Sequence, residues 1–141
     1  MSKFKLDILL KNFEKVKATL PNELAEESIN FFQDSFRQQG WNGGKWEEVQ
    51  RRIPNTRAWK QATKSDRTRA ILVKTGKLRA SIFKKKVSFP QIIIATGSEA
   101  PYAIFHNKGT NKLPKRQFMG DSPRLRQKQV YLIRKRLDAL K

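Results

Sequence analysis

Apolar residues return every three or four positions across residues 4–20, where Leu6, Leu9, Leu10, Phe13, Val16 and Leu20 share one side of a helix. Pro21 predicts the end of that helix, because proline disfavours the helical region for the residue before it. Asn22 then predicts the cap of a second helix. Glu23, Glu26 and Glu27 follow in its first turn, where the helix dipole favours negative charge. Ala25, Ile29, Phe32 and Phe36 predict its buried stripe, widened by Leu24 and Phe31, and Arg37 and Gly40 suit its C-terminal end.

The periodicity stops at residues 38–70. Gly40 to Trp46 is glycine-rich with two large aromatics, and the basic run from Arg51 to Arg69 has little pattern. This reads as a long loop that orders on a partner, with Trp41 and Trp46 pinning it to the body. Ile71-Leu72-Val73 is a short apolar anchor. Thr75-Gly76 opens a short helix, Lys77–Ile82, with Leu78 and Ile82 one turn apart. Phe83–Phe89 alternates with a period of two: Phe83, Lys85, Val87 and Phe89 share one face, and Lys84, Lys86 and Ser88 the other. Ile92–Thr96 is a β-branched strand expected to be buried on both faces, and the turn at Pro90-Gln91 makes the two strands a hairpin.

Beyond the hairpin, Tyr102–Asn107 predicts one or two helical turns stopped at Gly109, with Tyr102, Ile104 and Phe105 packed on the hairpin. Lys108–Phe118 reads as an irregular basic loop. Ser122 as cap and Pro123 at the first helical position start a last helix that runs to about Ala139. Leu125, Leu132, Ile133, Leu137 and Leu140 form its apolar side. The predicted class is α+β: a small antiparallel sheet packed with two N-terminal helices and a C-terminal helix, with long basic loops. The predicted organisation is one domain over 1–141, with a helical part at 1–37, a basic loop at 38–70, a core at 71–122 and the last helix at 123–141.

Charge changes the picture more than composition does. The 141-residue chain has a formal net charge of +19, and residues 37–141 alone carry +20. Such a field attracts polyanions, either nucleic acid or an acidic protein surface. Residues 51–90 hold 13 Lys/Arg and one acid, with Trp59, Phe83 and Phe89 among them. Phosphate contacts need only charge, so this permits DNA binding without specifying it. There is no cysteine, which removes disulfides and thiolate chemistry and fits a reducing cytoplasm. Apolar runs such as Ile92–Ala95 are far too short for a membrane span. The start of the chain mixes acids and lysines, unlike a signal peptide.

Candidate chemistry is thin. His106 is the only histidine. A general base needs a nucleophile or metal and a group to orient it, and the only carboxylate near it in sequence is Glu99. His106-Asn107-Lys108 resembles part of a His-Asn-His nuclease motif, but the second His is absent. Gly76-Lys77 is followed by Leu78, and Ile71 stands where a phosphate-binding loop needs its first glycine. No catalytic, metal or cofactor site is expected. His106 is expected to be a structural histidine, satisfied by a backbone hydrogen bond near Gly109.

Four blocks in order do carry a resemblance. They are Gly40 to Trp46; Ile71-Leu72-Val73-Lys74-Thr75-Gly76-Lys77-Leu78-Arg79-Ala80-Ser81-Ile82; Ile93–Ser98 followed by Tyr102 to Gly109; and Leu113-Pro114-Lys115-Arg116-Gln117-Phe118-Met119-Gly120. Together they resemble the phage virion morphogenesis family, the tail-completion proteins of tailed phages, over roughly residues 30–122. Asn107, where that family usually has Gln, and Lys115, where a small residue is common, depart from the pattern. The resemblance implies a non-enzymatic protein of the head–tail junction, assembled in the bacterial cytoplasm and retained in the virion, that completes the tail or neck as a ring. Its implied partners are copies of itself and neck, connector or tail-tube proteins, with non-specific DNA contact as a further possibility and no membrane or small-molecule substrate. Under it, Thr75, Gly76, Leu78, Tyr102, His106, Gly109 and Pro114 are structural. Arg116 is expected to make a charge-assisted partner bond, with Lys112, Lys115 and Trp59 also in partner contact. Phe118 and Met119 are expected either to anchor their loop or to dock on a neighbour. The alternative is a basic DNA-binding accessory protein.

Overall fold

The computed structural model describes residues 3–140, so Met1, Ser2 and Lys141, the extreme ends of the two terminal segments read from the sequence, lie outside it. The class is α+β. Helix α1 spans Lys3–Gln38, followed by strands β1 (Gly40–Trp41) and β2 (Gly44–Lys45), a 3-10 turn at Gln50–Arg52, and helices α2 (Arg57–Gln61), α3 (Lys64–Thr68) and α4 (Lys77–Ala80). Strands β3 (Ile82–Ser88) and β4 (Gln91–Thr96) come next, then helices α5 (Ala103–Lys108) and α6 (Pro123–Asp138). The described strands form two hairpins, β1–β2 and β3–β4.

The N-terminal region is one helix, not two, and it runs through Pro21. A proline inside a helix costs about 3 kcal/mol. Against that, Leu20, Leu24, Ala25, Ser28, Phe32 and Phe36 are all buried along one continuous stripe. Each large apolar side chain among them contributes about 1.5–3 kcal/mol on burial. Pro21 is itself buried between Leu20 and the Leu24–Ala25 pair, and burial on both sides of its ring offsets the proline penalty. Asn22 is therefore no cap; its Oδ1 accepts from Lys84 Nζ at 2.8 Å. Glu23, Glu26 and Glu27 pair with Arg136, Lys84 and Lys128 instead of serving a helix end.

By backbone contacts the chain gathers into two compact units. Among the described residues the first comprises 3–31, 84–94 and 121–140. Besides the three ion pairs above, Gln129 Nε2 donates to Ser28 Oγ at 3.1 Å. Helix α6 begins as expected: Pro123 occupies its first turn, and the buried Ser122 side chain accepts from Leu125 N at 3.4 Å. Leu125 is buried and Leu132 and Ile133 are half-buried, but Leu137 is exposed. The first four turns of α1 also lie open, with Leu6, Ile8, Leu10 and Phe13 exposed.

The second unit comprises residues 32–83 and 95–120. The segment expected as a featureless loop contains β1, β2, α2 and α3. Asn42 and Gly43 both take positive φ, 50° and 89°, which is the hairpin turn that pairs Gly40 with Lys45 and Trp41 with Gly44. Helices α2 and α3 are each started by a threonine: Thr56 Oγ1 accepts from Trp59 N, and Thr63 Oγ1 from Asp66 N, both at 3.1 Å. Helix α4 stops at Ala80, two residues short of expectation, because Ile82 joins β3. Strand β4 is half-buried, not buried on both faces, since a two-stranded ribbon covers neither. Phe83 and Phe89 are exposed.

Candidate functional site

Apart from Ile93 and Ile94, the four sequence blocks lie in the second unit. Its centre is aromatic: Phe36 and Phe118, each 1% exposed, lie with ring centroids 5.1 Å apart. Trp46 meets Phe36 edge-on at 5.7 Å, and its Nε1 donates to Gln117 O at 2.8 Å. Trp41 stacks on Phe32 at 6.0 Å. Both tryptophans thus hold the Gly40–Trp46 hairpin in place, as expected, and Trp46 ties it to the Leu113–Gly120 block.

That last block is latched by its own chain. Asn107 Oδ1 accepts from Phe118 N at 2.9 Å and from Met119 N at 3.0 Å. Arg116 N donates to His106 O at 2.9 Å. The Arg116 side chain is only 7% exposed, and its Nε donates to Glu47 O at 3.1 Å. Burial lowers its pKa, opposed by the charges of Glu47 and Glu48, and the guanidinium stays charged. Arg116 and Phe118 are thus both buried in this unit, and the Phe118 ring anchors the end of its loop. Met119 and Pro114 are half-buried, while Lys112 and Lys115 are exposed. Replacing Asn107 by Ala is expected to strand two backbone N–H groups, at about 1–3 kcal/mol each where water cannot reach them. Hydrogen exchange at Phe118 and Met119 should then accelerate at least tenfold, while Trp46 exchange changes little.

A second hub holds residues 50–70. Arg51 Nε donates to Asp66 O at 2.8 Å, and its Nη2 to Arg69 O at 2.9 Å and Ala70 O at 3.1 Å. Burial, then the like charges of Arg69 and Arg52, lower the Arg51 pKa. Gln39 Oε1 accepts from both Arg52 Nη1 at 3.0 Å and Ile71 N at 2.9 Å. The Arg67 guanidinium lies 3.8 Å from the centroid of the Trp59 ring, so one face of that ring is covered from within the chain.

Between these hubs lies a pocket of about 440 Å³, walled by the Val73–Leu78 turn, Tyr102, His106, Arg51, Arg69 and Arg116. Gly76 takes φ +78° at the start of α4, a left-handed geometry that other residues resist, and Leu78 is buried. Thr75 is a weak cap, its Oγ1 accepting from Lys77 N at 3.4 Å. Tyr102, Ile104 and Phe105 are exposed, the last two at 52% and 53%, and do not pack on the hairpin as expected. Ala103 is the buried residue of helix α5, and the helix's larger apolar side chains stay outside.

His106 is half-buried beside the edge of the Tyr102 ring, at 6.0 Å. It is not the satisfied histidine expected from the sequence: its Nδ1 is buried without a hydrogen-bond partner. Burial first, and then the positive charge of Arg116, lower its pKa below the ordinary 6.5. The unfolded chain therefore binds the proton more readily. The histidine's contribution to stability is full above pH 6.5 and is lost as pH falls through the lower folded value. Urea melts should give lower stability at pH 5 than at pH 7, and His106→Gln should flatten that part of the profile.

Arg51, Gln39 and Asn107 carry much of this architecture and were not singled out as site residues by the sequence. Two signals for the 38–70 segment were present: Asn42-Gly43, a strong hairpin dipeptide, and Thr63-Lys-Ser-Asp66, a helix-start box. Nothing in the sequence marks a single arginine as a collector of carbonyls. Among the described residues no group of three or more His, Asp or Glu side chains could hold a metal ion, and no helix is long and apolar enough to cross a membrane. No protein-family model, curated protein or solved structure matches the chain.

Proposed function

We propose that the chain is a non-enzymatic structural protein of a phage head–tail junction that completes the tail or neck as a ring of copies. The observation that carries this reading is the convergence of the four ordered blocks. Trp46 to Gln117, Arg116 to Glu47, and Asn107 to Phe118 and Met119 tie three of them into one packed unit, and the fourth supplies the Thr75–Leu78 wall of its pocket. Blocks far apart in sequence that build one packed unit suit an assembly module. The open apolar side chains on α1 and α5 favour association, since clustered apolar exposure marks interaction surfaces.

Sedimentation and negative-stain imaging of the purified protein, alone and with neck or tail-tube proteins, are expected to give closed rings or partner-dependent oligomers. A protein that stays monomeric at every concentration and never enters particles would overturn the proposal. The second reading, a DNA-binding accessory protein, draws on the +19 charge. It requires tight duplex binding that weakens steeply with salt.

A further inference from the structure

The pocket of about 440 Å³ is unusual in its balance of charge. Arg51, Arg69, Lys74, Lys77 and Arg116 line it together with His106, and no carboxylate does. Of the five cations only Arg69 has an ion-pair partner, Asp66. Arg51 and Arg116 are held by backbone carbonyls, and the carboxylates whose charge reaches them, Asp66, Glu47 and Glu48, do not line the pocket. The unpartnered His106 Nδ1 adds a polar atom with nothing to bond. Val49, Leu72, Val73 and Leu78 supply an apolar surface beside these groups.

We propose that this pocket receives an acidic side chain of a partner protein, its carboxylate among the cations and an apolar neighbour on the Val49–Leu72–Leu78 surface. The commitment to a protein carboxylate follows from shape and chemistry. A duplex is too wide to enter a cavity of this size, and inorganic phosphate has nothing to place on the apolar wall. The acid comes from a different chain. Eight of this chain's twelve carboxylates are already in ion pairs with its own cations, so a second copy has few to offer. The identity of the partner as a junction protein rests on the assembly reading; the pocket itself does not.

The chain has one histidine, so its imidazole resonances report on this pocket alone. The full-length protein is titrated with acetyl-Leu-Asp-Leu-Glu-amide, with the neutral acetyl-Leu-Asn-Leu-Gln-amide, with inorganic phosphate and with a short single-stranded oligonucleotide. The acidic peptide is expected to shift the His106 signals saturably and the neutral peptide to leave them in place. Lys74→Glu and Lys77→Glu change exposed side chains and are expected to weaken peptide binding about tenfold or more while the melting curve is kept. The proposal is overturned if the acidic peptide gives no shift, if the neutral peptide matches it, or if charge reversal leaves its affinity unchanged. It is also overturned if phosphate or the oligonucleotide binds the pocket more tightly than the peptide. Oligomeric state is measured on the same samples, so a failed pocket and a failed assembly reading are told apart.

Discussion

Phe118→Ala is expected to lower the melting temperature by roughly 10–20 °C. Removing a buried phenylalanine typically costs about 3–5 kcal/mol, from lost burial and from the cavity left behind. Native domains hold only about 5–15 kcal/mol in total, so the loss is a large share. For a chain of this length each kcal/mol moves the midpoint by about 3–4 °C. Collapse of the site is hindered, because Phe36 at 5.1 Å is itself gripped by Trp46 and cannot swing into the gap. The variant separates the two roles that the sequence left open for this residue. An anchor predicts an unfolding shift in the isolated protein, before any partner is present. A docking residue predicts normal melting and failed assembly, and that second pattern would refute the packing described for Phe118. Lys115→Ala, an exposed side chain in the same loop, serves as the control and should melt like the wild type.

The contrast between Phe118 and Lys115 also marks the limit of what could be read in advance. Elements with a local cause were legible. Ser122-Pro123 starts a helix because both residues act on the backbone within one turn, and Gly109 stops α5 for the same kind of reason. Pro21 was misread because a local rule was set against the burial of Pro21 itself with Leu20, Leu24 and Ala25, which no dipeptide reveals. Strand alternation predicted the faces of β3, but not that Phe83 would stay exposed, since burial depends on what covers a ribbon. The site was less legible still. Arg116 looked like an outward hand because arginines in basic loops usually are. Its inward turn is decided by the carbonyl of Glu47, a residue far away in sequence. His106 was placed correctly in α5, yet its orphaned Nδ1 and its place beside five cations follow only from the meeting of segments far apart in sequence, around Arg51, Arg69, Lys74–Lys77 and Arg116.

Gly109→Ala and Gly76→Ala are expected to differ sharply, although the two glycines have nearly the same φ, +76° and +78°. At Gly76 ψ is −1°, and an added Cβ would meet nothing within 4 Å. Only the left-handed conformation is penalised there, at about 1–2 kcal/mol. At Gly109 ψ is 165°, a region of backbone space that is essentially reserved for glycine and costs other residues about 1–3 kcal/mol. An added Cβ would also stand 2.9 Å from Lys115 N and 3.0 Å from its Cα. Those are backbone atoms, which cannot rotate aside, so the strand of loop at Lys115 must retreat. Its retreat would pull Arg116 N from His106 O and strain the Asn107 bonds to Phe118 and Met119. The strain and these losses together are expected to reach about 3–5 kcal/mol, against 1–2 at Gly76. Thermal melts give the totals, and amide exchange at Arg116 and Phe118 gives the location. Faster exchange there in Gly109→Ala alone is the expected signature. Equal destabilisation by the two variants would mean that backbone conformation, not the close approach of Lys115, sets the need for glycine at position 109.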